Sequence, residues 1–272
     1  MRNTVLLCCL LITTMVSAQV FYQGNSDKDF KKLAKNGLSF VINSNSQTTK
    51  AYLNAFNDYW KVTNYNAVNL STDQLTDDDI IATDSSMDGD RIFAIIRYGE
   101  LKKWSGAVSK YRCIGYFVLD GFNQTSDSEA AELFIGLAVK GMNDAVQTMK
   151  DNDITGTGQS LYRRLHNSIT PKSIALKGKT LIILDGTKKY IELNDLKRKG
   201  INYKLMSTEE FTNLKEEELK DYCLMYFAYN SYTEISIFDL ADNSLIYTRH
   251  YSSAKSKFGS TEISEIQDTW KQ

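Results

Sequence analysis

Long apolar runs, an excess of either charge, histidine pairs and a phosphate-cradling glycine motif are all missing from this 272-residue chain, and each absence removes a class of function. After residue 18 no stretch approaches the roughly 18 uncharged residues of a membrane span, and the nearest, Ala130 to Val139, is interrupted by Glu132. The 32 Lys and Arg against 33 Asp and Glu leave a net charge of −1, so no global attraction to nucleic acid or to a membrane surface follows. His166 and His250 are the only histidines, and neither has a His or Cys partner at metal-ligand spacing. Gly156-Thr157-Gly158 follows no strand and lacks the Lys-Ser/Thr of a phosphate loop. Gly-x-Ser-x-Gly and the signatures of thiol hydrolases are absent. No residue set is therefore singled out as catalytic, cofactor-binding or metal-ligating, and no cofactor is expected.

Residues 1–18 carry the clearest signal. Arg2, the apolar run Val5 to Ile12 and the small residues Val16-Ser17-Ala18 ahead of Gln19 have the form of a cleavable secretory leader, too short to span a bilayer. Cys8 and Cys9 raise the alternative of a lipoprotein leader, but Leu7 stands where lipidation needs a small residue. The expected product begins at Gln19, does not span the membrane, and works in the periplasm or outside the cell. Cys113 and Cys223 survive processing, either as a disulfide in an oxidising compartment or as two separately buried thiols.

The pattern beyond the leader is that of an α/β protein with mixed sheets. An amphipathic opening at Asp27 to Lys35 leads to a buried strand at Leu38 to Asn43, then to a helix carrying Tyr52, Phe56, Tyr59 and Trp60. Tyr65 to Leu70 alternates as a strand, Ser71-Thr72-Asp73-Gln74 has the form of a capping box, and Arg91 to Tyr98 and Tyr111 to Leu119 read as strands. The order recurs in a strand at Thr180 to Leu184, a short basic helix stopped by Gly200, and a strand at Tyr203 to Met206. A second capping box at Ser207 to Glu210 then opens a helix to about Lys220, and three antiparallel strands follow up to Tyr251. Asn64-Tyr65 before the first box matches Asn202-Tyr203 before the second. The expectation is two similar βαβαββ units, residues 19–127 and 179–272, joined by a helical bridge at 128–178 that holds a wide apolar face from Ser128 to Met149 and the only proline, Pro171. Ile263, Ile266 and Trp270 share one helical face that docks back on the body.

Four further features bear on function. Seven aspartates and no Lys or Arg lie between Ser71 and Asp90, whereas Ser160 to Lys204 holds eleven Lys and Arg against three acids. The basic stretch could recognise an anionic partner, or both could be solvated faces. Asp84, Asp88, Gly89 and Asp90 form an acidic loop without the ligand spacing of a calcium hand. The aromatics of Tyr222 to Tyr232 could line a ligand groove, although strand aromatics are usually core and cross-strand pairs.

Duplicated βαβαββ order behind a leader resembles the small periplasmic α/β domains of Gram-negative envelope-assembly factors, such as the curli secretion family and the amino-terminal domain of the Tol-Pal translocation protein. The lettering Tyr59-Trp60-Lys61, Asn64-Tyr65 and Lys179-Thr180-Leu181-Ile182-Ile183 is similar to that of uncharacterised exported proteins of such bacteria. The resemblance implies a non-enzymatic binding or assembly component of the cell envelope, with an envelope protein or glycan as partner. The alternative is a hydrolase with carboxylates in the cleft between the units.

Overall fold

The computed structural model describes residues 24–271 other than 26, 42–46, 70–72, 88–89, 102–112, 120–127, 230–232 and 252–256. The first half runs β1 (Gly24–Asn25), α1 (Asp27–Asn36), β2 (Leu38–Val41), α2 (Gln47–Tyr59), β3 (Tyr65–Val68), β4 (Ile80–Met87), β5 (Asp90–Arg97), α3 (Tyr98–Leu101) and β6 (Cys113–Val118). The bridge is α4 (Ser128–Asp151), β7 (Gly156–Thr157), α5 (Gly158–Ile169) and a 3-10 segment at Thr170–Leu176 that starts with Pro171. The second half runs β8 (Thr180–Leu184), α6 (Leu193–Arg198), β9 (Tyr203–Met206), α7 (Thr208–Thr212), α8 (Glu216–Leu219), β10 (Tyr222–Tyr229), β11 (Thr233–Asp239), β12 (Ser244–Tyr251) and α9 (Ser260–Thr269).

Two five-stranded mixed sheets have the same topology, β3-β2-β4-β5-β6 and β9-β8-β10-β11-β12, parallel among the first three strands and antiparallel thereafter. The second half has the order read along the chain, ending in three antiparallel strands with β12 at the edge; in the first half the second helix is absent among the described residues and the additional strand is β4, at the centre of the sheet between β2 and β5. The correspondence reaches single hydrogen bonds. Leu38 faces Tyr65 and its amide donates to the Asn64 carbonyl at 2.9 Å, while Leu181 faces Tyr203 and its amide donates to the Asn202 carbonyl at 2.9 Å. A register irregularity falls between Ile95 and Ile96 in one sheet and between Ile237 and Phe238 in the other, the same position counted from those pairs. Gly37, at φ +75°, precedes β2 where a Cβ would stand 2.7 Å from the Asn64 carbonyl oxygen, so that bond requires a glycine there.

The sheets stack in one direction. One face of the first sheet carries Phe40, Ala82, Phe93, Ile95 and Phe117, covered by α2 and by α4, whose Phe134, Ala138, Met142 and Ala145 are buried. The far side of that helical layer meets Ile182, Leu184, Leu224, Phe238 and Leu245 of the second sheet, in one continuous core. Phe117 and Tyr226 bring the two sheets together at 4.6 Å between ring centroids. The opposite face of the second sheet, with Leu181, Ile183, Met225, Ile235 and Ile237, is closed by Leu196 of α6 and by Ile263 and Ile266 of α9, with Trp270 packed alongside, as the helical spacing implied. The outer face of the first sheet buries Ile81, Ile92, Ala94, Ile96 and Tyr116.

Three local readings are corrected. Residues 73–79 hold turns and no helix, and Ile80–Met87, unassigned from the sequence, is a strand; Ser71 and Thr72 of the first capping box lie outside the described residues. The helix expected from Thr208 to Lys220 is broken at Asn213–Lys215 into α7 and α8, although its capping box forms, with the Glu210 amide donating to Ser207 Oγ at 3.1 Å and the Ser207 amide donating to Glu210 Oε2 at 2.7 Å. Gly156-Thr157 is not only a break in the bridge, since it pairs antiparallel with Gly24-Asn25.

Candidate functional site

Helix α5 buries Leu161, Leu165 and Ile169 at i, i+4 and i+8, which turns Gln159, Tyr162, Arg163 and His166 toward the opposite side along the edge strand β12. An open strand edge is a template for unwanted pairing, and here the bridge covers it with side chains. Asp144 Oδ2 of α4 accepts the Leu245 amide at 3.0 Å, and His166 Nδ1 lies 2.8 Å from the Thr248 carbonyl oxygen. Beyond these bonds the two elements diverge around a pocket of about 500 Å³ lined by Gln159, Ser160, Tyr162, Arg163, His166, Arg249, His250 and Tyr251. That volume lies within the usual span of small-ligand sites, about 300–1,000 Å³.

Both histidines of the chain meet here, which no spacing rule could show because 84 positions separate them (250 minus 166). The His250 ring stacks on Tyr162 at 3.9 Å between centroids, with its Nδ1 3.3 Å from Gln159 Nε2. Burial pushes the His250 imidazole down to about 4 and, together with the charge of Arg249, also lowers that of His166 despite its bond to Thr248. Both rings are neutral at pH 7.

The charged groups are ordered by α9. Glu265 takes Arg249 on Oε1 and the Tyr247 hydroxyl on Oε2 at 2.8 Å, and His166 Nε2 stands 3.7 Å from the same Oε2. Glu262, fully buried, accepts from the Tyr251 hydroxyl and, at 2.9 Å, from the Gly259 amide. Burial and the Glu262 carboxylate raise the Tyr251 phenol. Arg249 also lies 5.1 Å from the centre of the Tyr251 ring. Arg163 is exposed at the mouth. No carboxylate lines the pocket among the described residues.

Elsewhere the candidate features resolve into structure. Tyr226 and Phe227 are core, so they form no groove, and Tyr232 lies outside the described residues. Cys223 is a free, buried thiol whose ionisation is pushed up to about 12, so the disulfide alternative does not hold and the group is inert. Asp84 sits in β4 opposite Phe93, while Asp88 and Gly89 lie outside the described residues. Among the described residues no group of three His, Cys, Asp or Glu could hold a metal ion, and no helix is long and apolar enough to cross a membrane. Much of the basic stretch is bound locally: Lys179 to Asp239, Arg198 to Asp195, and Arg164 to the carbonyls of Asp153 and Thr155. A second hollow of about 370 Å³, between α1 and the end of α4, is mainly apolar, lined by Leu33, Ala34, Val62, Val146, Met149 and Ile154.

Arg249, Tyr251, Gln159 and Ser160 were not singled out from the sequence. The legible trace was the polar stripe Gln159, Tyr162, Arg163 and His166 at i, i+3, i+4 and i+7, opposite the leucines of α5. Comparison with protein-family models, with curated proteins and with solved structures finds no match for this chain.

Proposed function

We propose that this is an exported, non-enzymatic binding component of the bacterial cell envelope and that the pocket between α5 and β12 is where it holds its partner. The carrying observation is the pocket's make-up: two arginines, two neutral imidazoles, two phenols, an amide and a hydroxyl, with no carboxylate among its described lining residues. A hydrolase using paired carboxylates needs them free and facing substrate. Four of the five buried acids described are engaged in holding the fold instead: Asp29 with Arg97, Asp144 with Lys140 and the Leu245 amide, Asp239 with Lys179, and Glu262 with Tyr251. The leader pattern of residues 1–18 supports export, and the resemblance to periplasmic assembly domains supports an envelope role.

The test is co-sedimentation of the full chain, expressed with its own leader and purified as the cell releases it, with the envelope fraction of its source. The expected result is saturable sedimentation that Arg163→Glu, an exposed reversal that leaves the fold intact, reduces about ten-fold. Sedimentation unchanged by Arg163→Glu and by Tyr162→Ala would remove the pocket from the reading. Detection of Gln19 as the first residue by mass spectrometry checks export.

A further inference from the structure

The hollow between α1 and the end of α4 adjoins another of about 480 Å³, and Ala34, Val62, Thr63 and Lys150 line both. The two differ in character. Leu33, Val146, Met149 and Ile154 make the first mainly apolar, whereas the second adds Trp60, Lys61 and Asn64 and has two lysines and no carboxylate among its described lining. At about 370 Å³ the apolar compartment lies within the usual span of small-ligand sites, about 300–1,000 Å³.

Charge decides what kind of head group the second compartment accepts. Helices α1, α2 and α4 all end near these residues, and helix C-termini carry negative partial charge that repels an anion. Here three carbonyls of those last turns are occupied: Leu33 by the Gly37 amide at 2.9 Å, Phe56 by the Trp60 amide at 3.0 Å, and Met149 by the Ile154 amide at 2.8 Å. Lys61 Nζ donates to the Asn57 carbonyl at 2.6 Å and has two further N–H groups. Lys150, in the last turn of α4, is exposed, as is Lys61. The one acid of the joined lining, Asp153, belongs to the apolar compartment only, so the two lysines leave the described lining net positive. An apolar compartment that opens onto lysines is complementary to a hydrocarbon chain with an anionic end.

We propose that the joined hollows bind a free fatty acid, with its chain between α1 and α4 and its carboxylate at Lys61 and Lys150. This goes beyond the function proposed above, because the hollows share no described lining residue with the pocket between α5 and β12.

The experiment is calorimetric titration of the full-length protein, stripped of bound lipid, with hexanoate, octanoate, decanoate and dodecanoate and with the matching alcohols, below their micelle concentrations. Affinity is expected to rise about four-fold per methylene and to level off within the series, once the compartment is filled. Each alcohol binds about five-fold more weakly than its acid, the worth of a favourable exposed ion pair, and Lys61→Gln with Lys150→Gln removes that difference. Ala34 is exposed on α1 and lines both hollows, so Ala34→Phe fills them without taking an atom from the core. That variant is expected to melt like the parent and to lose binding. No binding by any acid, equal affinity for acid and alcohol, a rise through dodecanoate without levelling, or binding that survives Ala34→Phe overturns the proposal. Loss of alkanoate binding in Arg163→Glu would move the ligand to the other pocket and overturn it too. Envelope sedimentation is judged by Arg163→Glu and Tyr162→Ala, neither of which touches these hollows, so the two readings fail separately.

Discussion

Arg97 ends β5 opposite Ile80, and Asp239 ends β11 opposite Cys223, at equivalent register positions in the two sheets. Each is tied to the segment that precedes the first strand of its own sheet: Arg97 to Asp29 of α1 at 2.5 Å, and Asp239 to Lys179 ahead of β8 at 2.5 Å. The same clamp is built twice with its polarity reversed. Topology and register thus constrain where a tie is needed, while the sign of each charge is free to change so long as its partner changes with it. A few positions on, the halves diverge in kind. The position of Phe117 and Val118 in β6 corresponds to that of Arg249 and His250 in β12. Phe117 faces the helical layer and Tyr226, inside the molecule, whereas Arg249 and His250 stand on the last strand of the stack and line a pocket. The head-to-tail order sets the second unit's last strand beside α5, with a pocket between them, and makes Phe117 of the first unit's equivalent strand part of the core.

The largest effect expected follows from that shared layer. Phe134 of α4 is fully buried and packs on Phe211 and Tyr226 of the second half while belonging to the core of the first. Phe134→Ala is expected to cost about 3–5 kcal/mol, in one transition that carries both halves together in calorimetry. Two separated transitions, with only one displaced, would show that the sheets fold independently and that the stack is an association of domains.

Next come the clamps. Asp29→Ala leaves the Arg97 guanidinium, whose side chain is 16% exposed, without its carboxylate and is expected to cost about 2–3 kcal/mol in urea unfolding. Lys179→Ala removes a more exposed cation and is expected to cost about 1–2 kcal/mol. Exchanging the first pair, Asp29→Lys with Arg97→Asp, tests the reversed polarity directly: recovery of half or more of the single-variant loss supports equivalence, and no recovery would mean that the two clamps are alike in position only.

How much of this was legible beforehand differs between the halves for physical reasons. In the second half, Ile182, Ile183 and Leu224 to Phe227 are continuous apolar strands bounded by turn residues, and they were read within a residue or two of their ends. In the first half, Ile80–Met87 has only Ile80, Ile81 and Ala82 before turning polar at Thr83-Asp84-Ser85-Ser86, within an aspartate-rich stretch. Antiparallel pairing with the apolar β5 makes it a strand, and that pairing has no local signature. The pocket was half visible. The polar face of α5 could be read from helical spacing, but its meeting with β12 depends on the path of the bridge.

The imidazoles of the pocket give the stability of the second half a pH dependence with a definite sign. Burial lowers the His250 pKa from 6.5 to about 4, so between those values the unfolded chain binds the proton that the folded one refuses. Stability rises with pH across that window, is complete above 6.5, and is lost as pH falls toward 4. Because the ring borders an open pocket, the loss expected is about 1–2 kcal/mol rather than the full linkage value. Melting temperatures from pH 7 to 4 check it: His250→Phe, which keeps a ring to stack on Tyr162, is expected to flatten the profile, and an unaltered slope would place the pH sensitivity elsewhere.

The smallest effect probes the connection where the halves differ most, the turns of residues 73–79 against the capped helix α7. Ser207 Oγ accepts the Glu210 amide, and the Ser207 amide donates back to Glu210, holding that carboxyl below its ordinary value of 4.5. The depressed pKa contributes stability above 4.5 that is lost as pH falls through the folded value. Ser207→Ala is expected to cost about 1 kcal/mol at neutral pH and less in acid, where the parent has already lost the reciprocal bond. Phe211 of α7 reaches across to Phe134 in the shared layer, so a frayed cap is transmitted to the core of the first half. An equal cost at pH 7 and at pH 3 would mean that the helix is held by Phe211 alone and that the box does not distinguish the two connections.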